Sequence, residues 1–289
     1  MNVVTLTHPA GLPSSAIAAA RAALPGAEPR WLDEPHAIDL LTAEPLDTVR
    51  AALRPLEDEA DVFVQPVAER ARRLLVADMD STMIGQECLD EFADYAGLKA
   101  EIAAITARAM AGELDFAGAL RERIALIAGL DVALVKRCLA ERIRPAPGAA
   151  TLIATARAGG LRTVLVTGGF TDFAGPVAAT LGFDAVHANR WEVEGGRLTG
   201  RVLDPILGAE AKRATLVAEA EALGLTPTAA VALGDGANDV RMFEPSGLGI
   251  AVHGKPAAQA AADARLNHGD LTSVLWALGI PRARWVNRT

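Results

Sequence analysis

The chain has 289 residues, of which 51% are hydrophobic and 22% charged, and its 28 Lys and Arg against 36 Asp and Glu give a formal net charge of −8. That apolar fraction excludes intrinsic disorder over most of the length, and the lack of any basic block excludes sequence-independent nucleic-acid binding as a main role. Two cysteines, Cys88 and Cys138, lie far apart without Cys-x-x-Cys or His-rich spacing, which signals neither a disulfide framework nor a zinc cage and fits a reducing compartment. No stretch of about 18 apolar residues escapes interruption by charge, Gly or Pro, as a membrane span would require. Met1 to His8 lacks the basic and apolar regions of a signal peptide. A cytoplasmic protein with neither membrane nor nucleic-acid partners is expected.

Residues 1–70 read as a small α+β module. Val3 to Leu6 is strand-like, Ser14 to Leu24 is helical behind a Ser cap, Ala37 to Leu41 is apolar, Leu46 to Leu56 is amphipathic, and Val62 to Val64 closes the unit. The order is β-α-β-α-β, with Arg30 to Leu32 as a candidate extra strand. Periodicity does not separate a ferredoxin-like from an ACT-like module. Either suits a regulatory or dimerising role and leaves room for a homodimer formed through it.

Residues 71–289 carry stronger signals. Three apolar runs each end in a polar loop: Leu74 to Ala77 before Asp78, Thr163 to Val166 before Thr167-Gly168-Gly169, and Ala229 to Leu233 before Gly234-Asp235-Gly236. Such runs suit strands of a parallel sheet buried on both faces, and ligands of open α/β sheets bind beyond the carboxyl ends of the strands. Between the first two, about 84–144, lies an Ala-rich, charged stretch of helical periodicity, read as an inserted helical cap. Arg144-Pro145-Ala146-Pro147-Gly148 forms its exit. Trp191 to Gly200, with Gly195-Gly196 at its centre, predicts a β-hairpin.

The chemistry is concentrated at the strand ends. Asp78-Met79-Asp80-Ser81-Thr82 puts two carboxylates two residues apart on extended backbone, so both can face one side. A hard divalent cation such as Mg²⁺ is the simplest compensation for that charge. Thr167-Gly168-Gly169-Phe170 offers a hydroxyl and open backbone N–H groups ahead of a helix, suited to a phosphate oxygen. Lys212 supplies a cation for a transferring phosphoryl group. Gly234-Asp235-Gly236-Ala237-Asn238-Asp239 adds two carboxylates and an amide. Each fragment alone is also an ordinary turn or a solvated charge, but their order is harder to explain that way.

That order resembles the haloacid dehalogenase-like phosphohydrolases, and within them the phosphoserine phosphatase family. The likeness extends over about residues 72–272 and includes Glu87, Met110 to Phe116, Leu120 to Arg123, and Ala188-Asn189-Arg190. It implies a Rossmann-like parallel α/β sheet with a helical cap inserted after the first strand, and Mg²⁺-dependent hydrolysis of O-phosphoserine. On this pattern Asp78 is the nucleophile and Asp80 the general acid and base. Mg²⁺ is held by Asp78, the Asp80 carbonyl and Asp235, with Asp239 behind them. Thr167, Gly168, Lys212 and Asn238 hold the phosphoryl group, while Glu87 and Arg123 hold the substrate ammonium and carboxylate, with Met110 and Phe116 as the apolar wall of the pocket or simply cap core. The family usually has Ser where Thr167 stands, so retained chemistry with altered affinity is expected. A phosphotransferase or a phosphatase for another small monoester on the same scaffold, and an amino-acid-binding regulator with a vestigial site, are the competing readings. The five histidines lack ligand spacing, Cys88 reads as a small buried residue, and Trp285 with Arg282, Arg284 and Arg288 reads as a solvated tail.

Overall fold

The computed structural model describes residues 1–110 and 113–287, apart from the side chain of Met110, so the expectations on Met110 and Arg288 lie outside the described residues. The N-terminal unit runs β1 (Asn2–Thr7), α1 (Ser14–Ala23), β2 (Pro29–Asp33), β3 (Ala37–Thr42), α2 (Leu46–Leu53) and β4 (Asp61–Pro66). The candidate extra strand is therefore real, and the order is β-α-β-β-α-β. Ser14 opens α1 but does not cap it: Pro13 occupies the cap position without a side-chain bond. β1 pairs antiparallel with both β3 and β4, the split βαβ arrangement of ferredoxin-like sheets.

After this unit come β5 (Leu74–Ala77), four helices α3 (Cys88–Asp94), α4 (Lys99–Met110), α5 (Phe116–Leu126) and α6 (Leu134–Glu141), then α7 (Ala149–Ala158), β6 (Arg162–Phe170), α8 (Thr171–Leu181), β7 (Ala185–Glu194) and β8 (Arg197–Leu203). The chain continues through α9 (Ala209–Ala222), β9 (Ala230–Gly234), α10 (Val240–Phe243), β10 (Leu248–Val252), α11 (Pro256–Ala261), β11 (Ala264–Leu266) and α12 (Ser273–Ala277). Among the described residues all strands join one sheet, in the order β2-β3-β1-β4-β11-β10-β9-β5-β6-β7-β8. The central pairs from β11 to β7 are parallel.

Strand alternation builds the layers. Leu74 and Val76 of β5 pack with α9 residues Leu216 and Ala220, while Leu75 and Ala77 join a cluster with α7, α8 and α12. Burial on both faces is why these strands read as continuous apolar runs. Gly195 and Gly196, both at positive φ (56° and 79°), make the tight turn between β7 and β8. The Thr167-Gly168-Gly169 segment is not a loop after the strand. It lies inside β6, whose pairing with β7 shifts register between Val166 and Phe170. A local bulge therefore turns these residues towards the strand ends.

The four helices α3 to α6 leave and rejoin the sheet by two segments running side by side: Ile84 bridges Pro145, Gly85 N–H donates to the Arg144 carbonyl (3.2 Å), and Ala146 N–H donates to that of Met83 (2.9 Å). Trp285 is not solvated tail. It packs on Trp276 with centroids 5.0 Å apart, its indole N–H donates to the Ile280 carbonyl, and Arg282 lies over both rings.

The N-terminal unit is welded to the rest. One face of its sheet packs on α1 and α2 through Val4, Leu6, Ile38, Leu40, Val62 and Val64. On the other face, the Arg70 guanidinium donates to Asp39, Thr5 and the Trp276 and Ala277 carbonyls, and Gln65 donates to Ala277. At the seam, buried Asp61 accepts backbone N–H bonds from Asn267 (2.7 Å), His268 (2.9 Å) and Gly269 (2.8 Å). Removing the acceptor strands one buried and two partly buried donors at once, so Asp61→Ala should cost about 3 kcal/mol of stability. Urea unfolding measures this; a loss below ~1 kcal/mol would show that the seam does not depend on Asp61.

Candidate active site

β5 pairs with β6 on one side and β9 on the other, with Ala77 opposite both Leu165 and Leu233. Residues far apart in sequence therefore leave the sheet side by side. Asp78 is buried at the end of β5; its Oδ1 accepts from Met79 N–H (2.7 Å) and its Oδ2 lies 2.7 Å from Lys212 Nζ. The following turn, Met79–Met83, is sharp: Asp80 is extended and Ser81 takes a positive φ of 53°. This folds the chain back so that Cys88 N–H donates to Asp80 Oδ1 (3.0 Å) and Ser81 Oγ donates to Glu87 Oε1 (2.8 Å). Cys88 is a small buried residue, and burial pushes its thiol well above the usual range.

The electrostatics follow from crowding carboxylates in a buried place. Burial, then repulsion from Asp239, raises the Asp78 pKa well above the ordinary value against the pull of Lys212. Burial, then Glu87, raises Asp80 to about 6, so this carboxyl can hold a proton much closer to neutral pH than an ordinary aspartate. Burial also raises Asp235, opposed by Lys255. For Lys212, burial alone would lower the pKa, but Asp78 and Asp239 carry it above the ordinary lysine value. Its side chain is 1% exposed, and its ammonium lies 2.7 Å from each carboxylate.

Asp239 completes this arrangement. Its Oδ1 accepts from Lys212 and its Oδ2 from the Asp235 and Gly236 N–H groups (3.1 and 3.0 Å). A Cβ at Gly234 would come within 2.3 Å of the Asp239 carboxyl carbon, so only glycine ends β9 here. Carboxylate oxygens of Asp78, Asp235 and Asp239 lie within 4.8 Å of one another. Asp78 and Asp235 also line the cavity above the strand ends, whereas Asp239 does not and is committed to Lys212 and two backbone amides, so Asp78 and Asp235 are the side chains placed to face a cation. An all-oxygen donor set with excess negative charge fits a hard divalent ion.

Above these groups lies a cavity of about 640 Å³ that takes in the sequence-predicted residues Glu87, Arg123, Thr167, Gly168 and Asn238 as well as Asp78, Asp80 and Asp235. Asn238 Nδ2 lies 3.4 Å from Asp78 Oδ2. Asp115 caps α5 by accepting from Gly118 N–H (2.7 Å), which sets the first residue, Phe116, and seven positions on, Arg123, on one helix face. Both line the cavity. Phe116 presses on Gly168 and Gly208, where an added Cβ would sit 3.0 and 3.1 Å from its ring. Arg123 is partly buried and, among the described residues, makes no ion pair; its Nε donates only to the Ala119 carbonyl at 3.4 Å. Buried Thr167 uses Oγ1 to accept from Gly169 N–H (2.9 Å).

Two residues escaped the sequence reading. Buried Asn189 donates to the Gly168 and Leu207 carbonyls (2.8 and 3.2 Å) and accepts from Leu207 N–H (2.6 Å), tying the Thr167-Gly168-Gly169 segment to the approach to α9. Its only sequence signal was its place in Ala188-Asn189-Arg190. Lys255 reaches Asp235 from the loop after β10, a fourth apolar run with a polar end, Leu248 to Val252 before His253-Gly254-Lys255. Replacing Lys212 removes the one buried cation shared by Asp78 and Asp239. Lys212→Met should therefore lower the stability of metal-free protein by about 3 kcal/mol or more, as well as slow chemistry. Chemical denaturation in chelator checks this, and an unchanged midpoint would contradict it.

The sequence model of the haloacid dehalogenase-like hydrolases matches residues 75–244, more than half of the chain. A phosphoserine phosphatase of Streptomyces coelicolor is 42% identical over 247 residues, covering 85% of this chain and 60% of that protein, so the chain spans less than two thirds of that relative's length. The crystal structure of a haloacid dehalogenase family hydrolase from Salmonella enterica serovar Typhi superposes over 96% of this chain and 99% of its own with a TM-score of 0.87 at 28% identity. A phosphoserine phosphatase solved as an analogue of its phospho-aspartyl intermediate superposes over 71% of this chain and 98% of its own, with a TM-score of 0.67 at 36% identity. The chain thus belongs to the haloacid dehalogenase-like hydrolases and groups with their phosphoserine phosphatases.

Proposed function

We propose that the protein hydrolyses O-phospho-L-serine to L-serine and phosphate, with Mg²⁺ as cofactor, as the last step of serine biosynthesis. The observation that carries this reading is the floor of the cavity, where the Asp78 carboxylate is held by a buried lysine beside an Asp80 carboxyl whose pKa is raised to about 6. A carboxylate nucleophile and a neighbouring acid are the two groups that phosphoryl transfer through an aspartyl-phosphate needs.

An Asp78 oxygen attacks phosphorus and the bond from phosphorus to the serine oxygen breaks, while Asp80 delivers its proton to that oxygen. Water then attacks the aspartyl-phosphate, Asp80 takes its proton, and phosphate leaves as the Asp78 carboxylate reforms. Lys212 neutralises charge on the phosphoryl oxygens, assisted by Thr167, the Gly168 N–H and Asn238. Asp78, Asp235 and the Asp80 carbonyl would hold Mg²⁺, which supplies charge stabilisation for the transferring group. Arg123, free of any ion pair among the described residues, is suited to the substrate carboxylate and Glu87 to its ammonium.

Phosphate release from O-phosphoserine should exceed that from a panel of other small phosphomonoesters. Equal or lower rates would favour a broad phosphatase on the same scaffold, and no release from any ester would favour the amino-acid-binding regulator. Asp78→Asn should reduce kcat by at least roughly 10³-fold while leaving a cooperative melt. Full turnover in that variant would remove Asp78 from the role of nucleophile. Chelation should abolish turnover, and added Mg²⁺ should restore it.

A further inference from the structure

Lys255 is a second cation at the floor of the cavity, and its situation is opposite to that of Lys212. Its backbone N–H donates to the Asp235 carbonyl (2.7 Å), which pins its main chain beside the carboxylates. The side chain then enters the cavity, with Nζ 3.0 Å from Asp235 Oδ2 and 3.8 Å from Glu87 Oε1. Lys212 is buried and fully engaged, whereas the Lys255 side chain is 58% exposed. It can leave its partners for water at little cost.

Those partners are the two carboxylates that the proposed reaction offers to incoming cations: Asp235 to the divalent ion and Glu87 to the substrate ammonium. We infer that Lys255 is a tethered counterion that competes with both and so sets how tightly the site takes up its divalent cation. The inference rests on the metal reading given above.

Two effects of the ammonium oppose each other. It helps to orient Asp235, which would favour cation binding, and it repels and must be displaced by a doubly charged ion approaching the same carboxylate. An ion pair with a half-exposed partner orients weakly because water screens it and the long side chain remains mobile. Repulsion scales with the product of the charges, and Lys255 Nζ lies only 3.0 Å from an oxygen of the carboxylate that would take the ion. Competition therefore outweighs orientation, and removing the charge should tighten binding.

The test is calorimetric titration of Mg²⁺ into the metal-stripped full-length protein. Lys255→Met and Lys255→Gln should each bind Mg²⁺ roughly three- to tenfold more tightly than the parent, and Lys255→Arg, which keeps the charge, should stay within about twofold of it. Parent-like or weaker binding by both neutral variants would overturn the inference. So would Lys255→Arg binding as tightly as Lys255→Met, because charge would not then be the cause. Failure of the parent protein to bind Mg²⁺ would overturn the metal reading itself, which separates the two failures.

Discussion

The site is organised by one buried ammonium. Lys212 Nζ lies between Asp78 and Asp239, 2.7 Å from each, and all three residues are almost wholly removed from water. Two buried carboxylates this close would repel each other and lose their hydration; the lysine between them, with the backbone N–H groups of Asp235 and Gly236 on Asp239, offsets both losses. The same contact joins the end of β5, the first turn of α9 and the turn after β9. The compensation is incomplete, since the Asp78 pKa remains raised and Asp235 adds a further negative charge. That residual charge is what makes a divalent cation a fitting occupant.

Sheet order supplies the second condition. Because β5 lies between β6 and β9, the first motif, the Thr167-Gly168-Gly169 bulge and the Gly234 to Asp239 turn emerge together. The cap is tethered by adjacent segments at Ile84 and Pro145, and Phe116 bears on Gly168 and Gly208. Asn189 joins the same two regions from beneath. Phe116 from the cap and Asn189 from β7 therefore both hold the Thr167-Gly168-Gly169 segment.

The N-terminal unit is less separable than its composition suggests. Its sheet is continuous with the central one through a single antiparallel step from Val62 to Arg265, and the face away from its helices is covered by Arg70, Gln65 and the carbonyls of α12. Trp285 and Arg282 pack over the same helix.

The sequence by itself determined the strand and helix alternation, the chemical character of the four motifs and their order, because apolar runs buried on both faces and glycine-rich strand ends are local patterns. It also singled out Asp78, Asp80, Lys212 and Asp235, whose chemistry is carried by residue type. It did not separate a loop from a bulge at Thr167, since that depends on pairing with β7. It misread Trp285, whose partner Trp276 is brought near only by the fold, and it assigned no role to Asn189 or Lys255. A lone amide or lysine has no local pattern; its meaning comes from which carbonyl or carboxylate lies within three ångströms. Tertiary structure alone decided those distances, the burial that shifts the carboxyl groups, and the seam that makes the N-terminal unit part of the same body.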